Sequence, residues 1–103
     1  MIRGTTPTII YKLPFETSII KSAEIVLKYI DNNKKVIIEK TLEDCELGET
    51  SISTRLTQEE TLGLPAPSKV SVQLRILTTG DVALATEVKT VFVRKLLKGD
   101  VIE

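Results

Sequence analysis

One stretch decides most of what this chain can fold into: residues 69–95, KVSVQLRILTTGDVALATEVKTVFVRK. Val70, Val72, Leu74 and Ile76 alternate with Ser71, Gln73 and Arg75. A period of two puts the apolar set on one face of a strand and the polar set on the other, as in a sheet with one dry face and one wet one. Thr78-Thr79-Gly80-Asp81 follows as a turn, and a second apolar run extends from Val82 to Val93. There Val82, Leu84 and Val88 share a face, whereas Val91 and Val93 have the opposite parity. The change of parity implies a bulge or twist near Lys89–Thr90, or a strand buried in part on both sides. Two alternating runs around a Gly-Asp turn form a long hairpin. No acid, base or nucleophile converges on its apolar face.

The rest of the chain fits around that hairpin as strands. Ile9, Tyr11 and Leu13 alternate with Ile10 and Lys12 in a first strand, Thr8–Leu13, which Pro14 ends because proline has no N–H for the ladder. Ile19 and Ile20, within Phe15–Ser22, are expected to be buried in a loop across one end of the fold. Ala23, Ile25, Leu27 and Tyr29 line one face of a second strand, and Val26 and Ile30 on the other side suit a central position. Asp31-Asn32-Asn33-Lys34 has the composition of a turn and leads into a third strand, Val36–Leu42. After the acidic Glu43–Glu49 segment, Thr50–Leu56 alternates again as a fourth strand. Thr57-Gln58-Glu59-Glu60 has capping-box spacing, so the Thr57 hydroxyl and the Glu60 carboxylate can each bond the other's backbone N–H. Leu62 and Leu64 anchor the helical turn, Gly63 suits its C-terminal cap, and Pro65 prevents continuation.

Six or seven strands at this spacing predict an all-β, immunoglobulin-like antiparallel β-sandwich with one short helical turn near 58–62. Residues 1–95 form a single β-sandwich domain and 96–103 a C-terminal tail. "Immunoglobulin-like" describes architecture only, because the Cys…Trp…Cys hallmark is absent. The expected core contains Ile25, Leu27, Ile38, Leu56, Val72, Leu74, Leu84 and Val88.

Composition limits the chemistry. The 103 residues hold no histidine and a single cysteine, Cys45. That removes an internal disulfide, a cysteine-based zinc site, and the commonest general base at neutral pH. Fourteen basic and fourteen acidic residues are interspersed, which argues against the basic stripe of a nucleic-acid-binding protein. No apolar run approaches the ~20 residues of a membrane span, and MIRGTTPTIIYKLPF lacks the pattern of a secretion signal. The expectation is a soluble protein kept in a reducing cytoplasm.

Each chemical candidate has a plainer competitor. Glu43, Asp44, Glu46, Glu59 and Glu60 are carboxylates, but Glu43-Asp44-Cys45-Glu46 lacks the alternating oxygen ligands of a calcium loop. No apolar pocket is marked that would raise one carboxyl pKa for glycoside hydrolysis, so these groups read as a solvated face. Without an imidazole partner Cys45 reads as a half-buried small hydrophobe rather than a nucleophile. Arg3-Gly4-Thr5-Thr6 and Leu47-Gly48-Glu49-Thr50 have no phosphate-loop spacing. Tyr11, Phe15, Tyr29 and Phe92 are dispersed and belong mostly to the core.

Short elements along the whole chain carry a resemblance: Met-Ile-Arg-Gly-Thr-Thr-Pro-Thr at 1–8, Leu13-Pro14-Phe15, Glu39-Lys40-Thr41-Leu42 with Asp44-Cys45, Arg55-Leu56-Thr57-Gln58-Glu59-Glu60-Thr61-Leu62, Val72-Gln73-Leu74-Arg75 and Val93-Arg94. With them the chain resembles small proteins from the structural modules of tailed phages and prophages of Gram-positive bacteria. In outline it is similar to the N-terminal β-sandwich domain of siphophage upper-baseplate proteins. There a Gly-Asp/Thr-Thr segment leads into a strand, and a short helical turn precedes the last hairpin. The resemblance implies a non-enzymatic tail or baseplate component, assembled in the host bacterial cytoplasm into the virion. Such a component packs against copies of itself and other virion proteins, with no cofactor, metal, nucleic acid, membrane or small-molecule substrate. The alternative is a small intracellular β-sandwich that binds a ligand or a host protein. Leu96, Leu97, Val101 and Ile102, apolar and beyond the last strand, are the candidate assembly contacts. They are covered either by their own sandwich or by a neighbouring copy, and the resemblance favours the neighbour.

Overall fold

The alternation of the central stretch becomes one long strand, Ser68–Thr78, in which Val70, Val72, Leu74, Ile76 and Thr78 are all buried and the residues between them are not. A computed structural model describes residues 1–31, 34–99 and 101–102 of the chain. Among the described residues there are eight strands: β1 (Thr8–Lys12), β2 (Ile20–Ile30), β3 (Lys35–Thr41), β4 (Cys45–Leu47), β5 (Ser51–Arg55), β6 (Ser68–Thr78), β7 (Ala83–Ala85) and β8 (Lys89–Val93). The helix α1 (Gln58–Leu62) joins β5 to β6, and 3-10 turns occupy Thr17–Ile19 and Leu42–Asp44.

The strands form two antiparallel sheets, β1-β5-β4 and β3-β2-β6-β7, with β8 also paired to β6. Helix α1, the turn that the capping-box spacing predicts, crosses from the smaller sheet to the larger one. Tyr11 and Ile52 from the smaller sheet meet Ile25, Leu27, Val70, Val72, Leu74 and Ile76 from the larger one in a single core. The molecule measures 46 × 33 × 18 Å, and its short axis fits two sheets about 10 Å apart with side chains outside them. β2 lies between β3 and β6, the central position that its apolar residues on both faces suggest.

β6 is paired along its far edge by two strands in succession. Leu77, Ile76 and Arg75 face Ala83, Leu84 and Ala85, and Val72, Val70 and Ser68 face Lys89, Val91 and Val93. Between the two ladders, Gln73 and Leu74 on β6 are matched by Thr86, Glu87 and Val88, one residue more. That extra residue is a β-bulge, and it reverses the inward parity from even to odd numbers. Thr86 fastens it: its N–H donates to the Leu74 carbonyl at 2.9 Å, and its hydroxyl accepts from the Leu74 N–H at 3.1 Å. Of the alternatives left by the sequence, the bulge is the one present, slightly earlier than Lys89–Thr90.

Six of the eight expected core residues are buried, and Leu84 and Val88 are not. Val88 sits on the bulge and is 59% exposed. Leu84 points inward beside Ile76 but is 40% exposed, because it lies on a three-residue edge strand. Near it the facing layer offers only Lys12, Leu13, Pro14 and Phe15. The core also includes Leu64, Val93 and Ala23. Ile19 and Ile20 are not a buried loop: Ile19 is exposed and Ile20 begins β2. Phe92 likewise lies on the outer face, with the Lys69 ammonium 5.3 Å from its ring centre. The acidic segment is structured, Leu42–Asp44 as a 3-10 turn capped by Thr41 and Asp44 and Cys45–Leu47 as β4. In the hairpin turn the left-handed residue is Asp81, φ +61°, rather than Gly80. Of the Asp31–Lys34 turn, Asn32 and Asn33 lie outside the described residues; its ends are joined by the Asp31 N–H to the Lys34 carbonyl at 2.9 Å.

Leu74 is at the middle of β6, opposite Ile25 of β2, and both are almost wholly buried. Leu74→Ala should cost about 2–5 kcal/mol, the usual range for a buried leucine, read as a lowered urea midpoint at unchanged slope.

Candidate functional site: the junction of the termini at helix α1

The two ends of the chain and the short helix meet at one corner of the molecule. The N-terminal residues run beside β8: the Met1 ammonium donates to the Phe92 carbonyl at 3.0 Å, and Arg94 and Arg3 N–H groups donate to Met1 and Arg94 carbonyls. Ile2 and Arg94 form a parallel bridge. The chain then turns over Ile2–Thr5, where Gly4 takes φ +80°. A β-carbon at Gly4 would lie 2.7 Å from a Leu96 methyl and 3.1 Å from a Leu62 methyl. Glycine is required there twice over, for the left-handed backbone and for space.

Helix α1 is fixed from both ends. The Thr57 hydroxyl accepts from the Glu60 N–H at 3.1 Å, and the Glu60 carboxylate accepts from the Thr57 N–H at 2.8 Å. The same carboxylate is 2.7 Å from the Lys40 ammonium of β3. Burial alone would raise the Glu60 pKa, but Lys40 and the two Thr57 groups outweigh it and hold the carboxyl below its ordinary 4.5. At the other end the Arg3 guanidinium donates to the Leu62 carbonyl at 2.8 Å and to the Leu64 carbonyl at 2.9 Å. The Leu62 carbonyl is one that a helix end leaves without an intrahelical partner, and Leu64 lies just beyond the cap. Gly63, at the C-cap, is right-handed, so the guanidinium does the work that a left-handed glycine turn would otherwise do. The fully buried Thr61 donates its hydroxyl to the Thr5 carbonyl at 2.8 Å.

The candidate assembly residues lie on this corner but are not equivalent. Leu96 is half-buried against Gly4 and Leu62 of its own chain. Leu97 is fully exposed, Val101 is at the margin of exposure, and Ile102 is 79% exposed. The backbone of Ile102 is nevertheless held: its N–H donates to Gln58 Oε1 at 2.7 Å, and its carbonyl accepts from Gln58 Nε2 at 3.0 Å. Asp100 and Glu103 of the tail lie outside the described residues. The sequence pointed to the tail as a group of apolar residues. It carried no signal for the Gln58 clasp or for the Arg3 cap, which depend on residues about 40 and 60 positions apart.

The other chemical candidates are spread out. Asp44 caps the Leu42–Asp44 turn, and hydrogen bonds from the Thr41 backbone and side chain hold its carboxyl below the ordinary range. Burial pushes the Cys45 thiol up, the opposite of an activated nucleophile. Among the described residues no three His, Cys, Asp or Glu side chains could together hold a metal ion, and no buried side-chain nitrogen or oxygen lacks a partner. Two concavities lie elsewhere. A shallow groove of about 840 Å³ crosses β2, β6 and β7 near the Glu24–Arg75 ion pair, and an apolar cleft of about 260 Å³ lies between the sheets at Leu13, Phe15, Ile76 and Leu84.

No protein-family model matches this sequence, and neither a curated protein nor a solved structure is similar to it.

Two measurements probe the corner. Gly4→Ala should lower stability by about 1–2 kcal/mol from the left-handed backbone alone, and more if Leu62 and Leu96 do not move aside. Because the folded-state pKa of Glu60 is depressed, its contribution is fully present above the ordinary glutamate value and is lost as pH falls through the folded value. The gap between wild-type and Glu60→Gln urea midpoints should therefore be open at neutral pH and close below pH 4.5. A gap that persists in acid would mean the charge of Glu60 is not what stabilises the corner.

Proposed function

We propose that the protein is a non-enzymatic structural or assembly component of a tailed-phage tail or baseplate, working through contacts with copies of itself and with other virion proteins. The observation that carries this reading is the tail, whose backbone is tethered at Ile102 while Leu97 and Ile102 keep their side chains in water. An ordered apolar segment presented to solvent is the composition of a contact surface, since covering it gains about 25 cal/mol per Å². The sequence resemblance to siphophage upper-baseplate domains supplies the setting. The two-sheet architecture with a helical crossover supports an immunoglobulin-like description at the level of layers. The Leu96 contact favours a tail that packs partly on its own domain and offers the remainder to a neighbour.

The inter-sheet cleft favours a second reading, a small ligand- or host-protein-binding sandwich. At about 260 Å³ it falls below the ~300 Å³ where small-molecule pockets begin, so it ranks second.

Deleting residues 96–103 and measuring mass by light scattering tests the assembly reading. The expected outcome is a smaller oligomer with modestly reduced thermal stability, from loss of the Leu96 and Gln58 contacts. An unchanged oligomeric mass with lost stability would assign the tail wholly to its own domain. A selective thermal shift with small apolar compounds, abolished by Leu84→Arg, would favour the cleft.

A further inference from the structure

Strand β3 is an outer strand of the larger sheet, paired to β2 alone. The Asp31 N–H to Lys34 carbonyl bond sets which of its residues are bonded to β2. In an antiparallel ladder bonded pairs recur at every second residue, so Val36, Ile38 and Lys40 bond to Tyr29, Leu27 and Ile25. The backbone groups of Lys35, Ile37, Glu39 and Thr41 point away from the sheet. Thr41 is already occupied, its N–H donating to Asp44 Oδ2 at 3.0 Å. The open edge is thus Lys35, Ile37 and Glu39, all exposed, with their side chains on the outer face. Neither Lys35 nor Glu39 makes an ion pair among the described residues.

We infer that this edge pairs with the same edge of a second copy, antiparallel about a two-fold axis through Ile37, so that two larger sheets become one. Antiparallel pairing centred on Ile37 sets Lys35 of each chain opposite Glu39 of the other, and Ile37, 42% exposed, opposite its own symmetry mate. On the outer face Lys35, Ile37 and Glu39 are self-complementary only in this register; on the inner face it sets Lys34 opposite Lys40, whose charge is already balanced by Glu60 at 2.7 Å. An ion pair closes each end, an apolar pair lies on the axis, and the outward backbone groups are the ones that meet. Opposite charges directly across strands stabilise and like charges oppose pairing. A lysine on an open edge ordinarily repels a second copy, but a lysine placed symmetrically with a glutamate attracts one.

The other edges do not offer this. On β1 the same alternation, fixed by the Leu13 N–H to Thr50 carbonyl bond, turns Thr8, Ile10 and Lys12 outward, and pairing about Ile10 sets Lys12 against an uncharged Thr8. The N-terminal residues cover β8, and β4 and β7 are three residues each.

The inference deepens the assembly reading and rests on it, but its test is separate. In full-length protein, Lys35→Glu or Glu39→Lys alone places like charges across both ends of the proposed pair. Each variant should weaken self-association by on the order of tenfold or more by sedimentation velocity, with circular dichroism unchanged because both positions are exposed. Mixing the two variants in equal amounts re-creates opposite charges at both ends and should restore a heterodimer. If either variant keeps the wild-type mass, or the mixture stays dissociated, the β3 pairing is wrong. If those variants are inert while deletion of 96–103 lowers the mass, the assembly reading survives without this edge. A wild-type protein that stays monomeric at millimolar concentration overturns both.

Discussion

The register between β2 and β6 is the constraint on which everything else in the molecule depends. Each strand has eleven residues, and their pairing sets Ile25 against Leu74 and Leu27 against Val72 on the dry face. Glu24 lies against Arg75 on the wet face, joined by a 2.8 Å ion pair. A slip of β2 by one residue would turn Glu24 and Lys28 toward the core and expose Ile25 and Leu27. The smaller sheet has strands of at most five residues and could not define a core alone. It acts as a lid, contributing Tyr11 and Ile52 to the dry face that the long pair presents.

Periodicity made that long pair legible. Alternation of burial over β6 is strict, because it buries one face only, and period two is the signal such a face leaves. Strand β2 keeps Ala23, Ile25 and Leu27 buried on the same period although Val26 lies on its other face. The capping box was equally legible, since its two partners are three residues apart and their chemistry is local. Legibility failed where burial depends on what lies across the fold. Leu84 carries an inward position in the pattern, but nothing in a sequence says that the opposite layer stops short of it. Cys45–Leu47 is too short and too acidic to announce itself as a strand, and is one because β5 offers it Ile52, Ser53 and Thr54. The parity change in residues 82–93 was visible as a mismatch, but its location was set by the fit of Thr86 to Leu74, a tertiary contact.

The corner at α1 was legible only in its parts. Thr57, Glu60, Gly63 and the apolar tail each read as local features, whereas the Arg3 guanidinium on the Leu62 and Leu64 carbonyls has no sequence signature. Nothing in residues 1–6 marks them as structural, yet Arg3 binds the carbonyls at the helix end and Gly4 leaves the space that Leu62 and Leu96 occupy. A five-residue helix is far too short to be stable alone. Its persistence is tertiary, supplied by a cation at one end, a capping box at the other and the buried Thr61 between them.

The two surfaces proposed for association are physically connected through that helix. Lys40 belongs to β3, one residue beyond Glu39 on the opposite face, and its ammonium meets Glu60 of α1. Gln58 of the same helix clasps the tail at Ile102. A neighbour drawing on β3 therefore acts on a strand whose inward side is tied to the helix that positions the tail. Outward groups of β3 are open while its inward lysine is locked, so pairing along the edge need not break the corner. Such an arrangement allows one copy to use its sheet edge and its tail for different neighbours at once, with Lys40–Glu60 holding the two in a fixed relation.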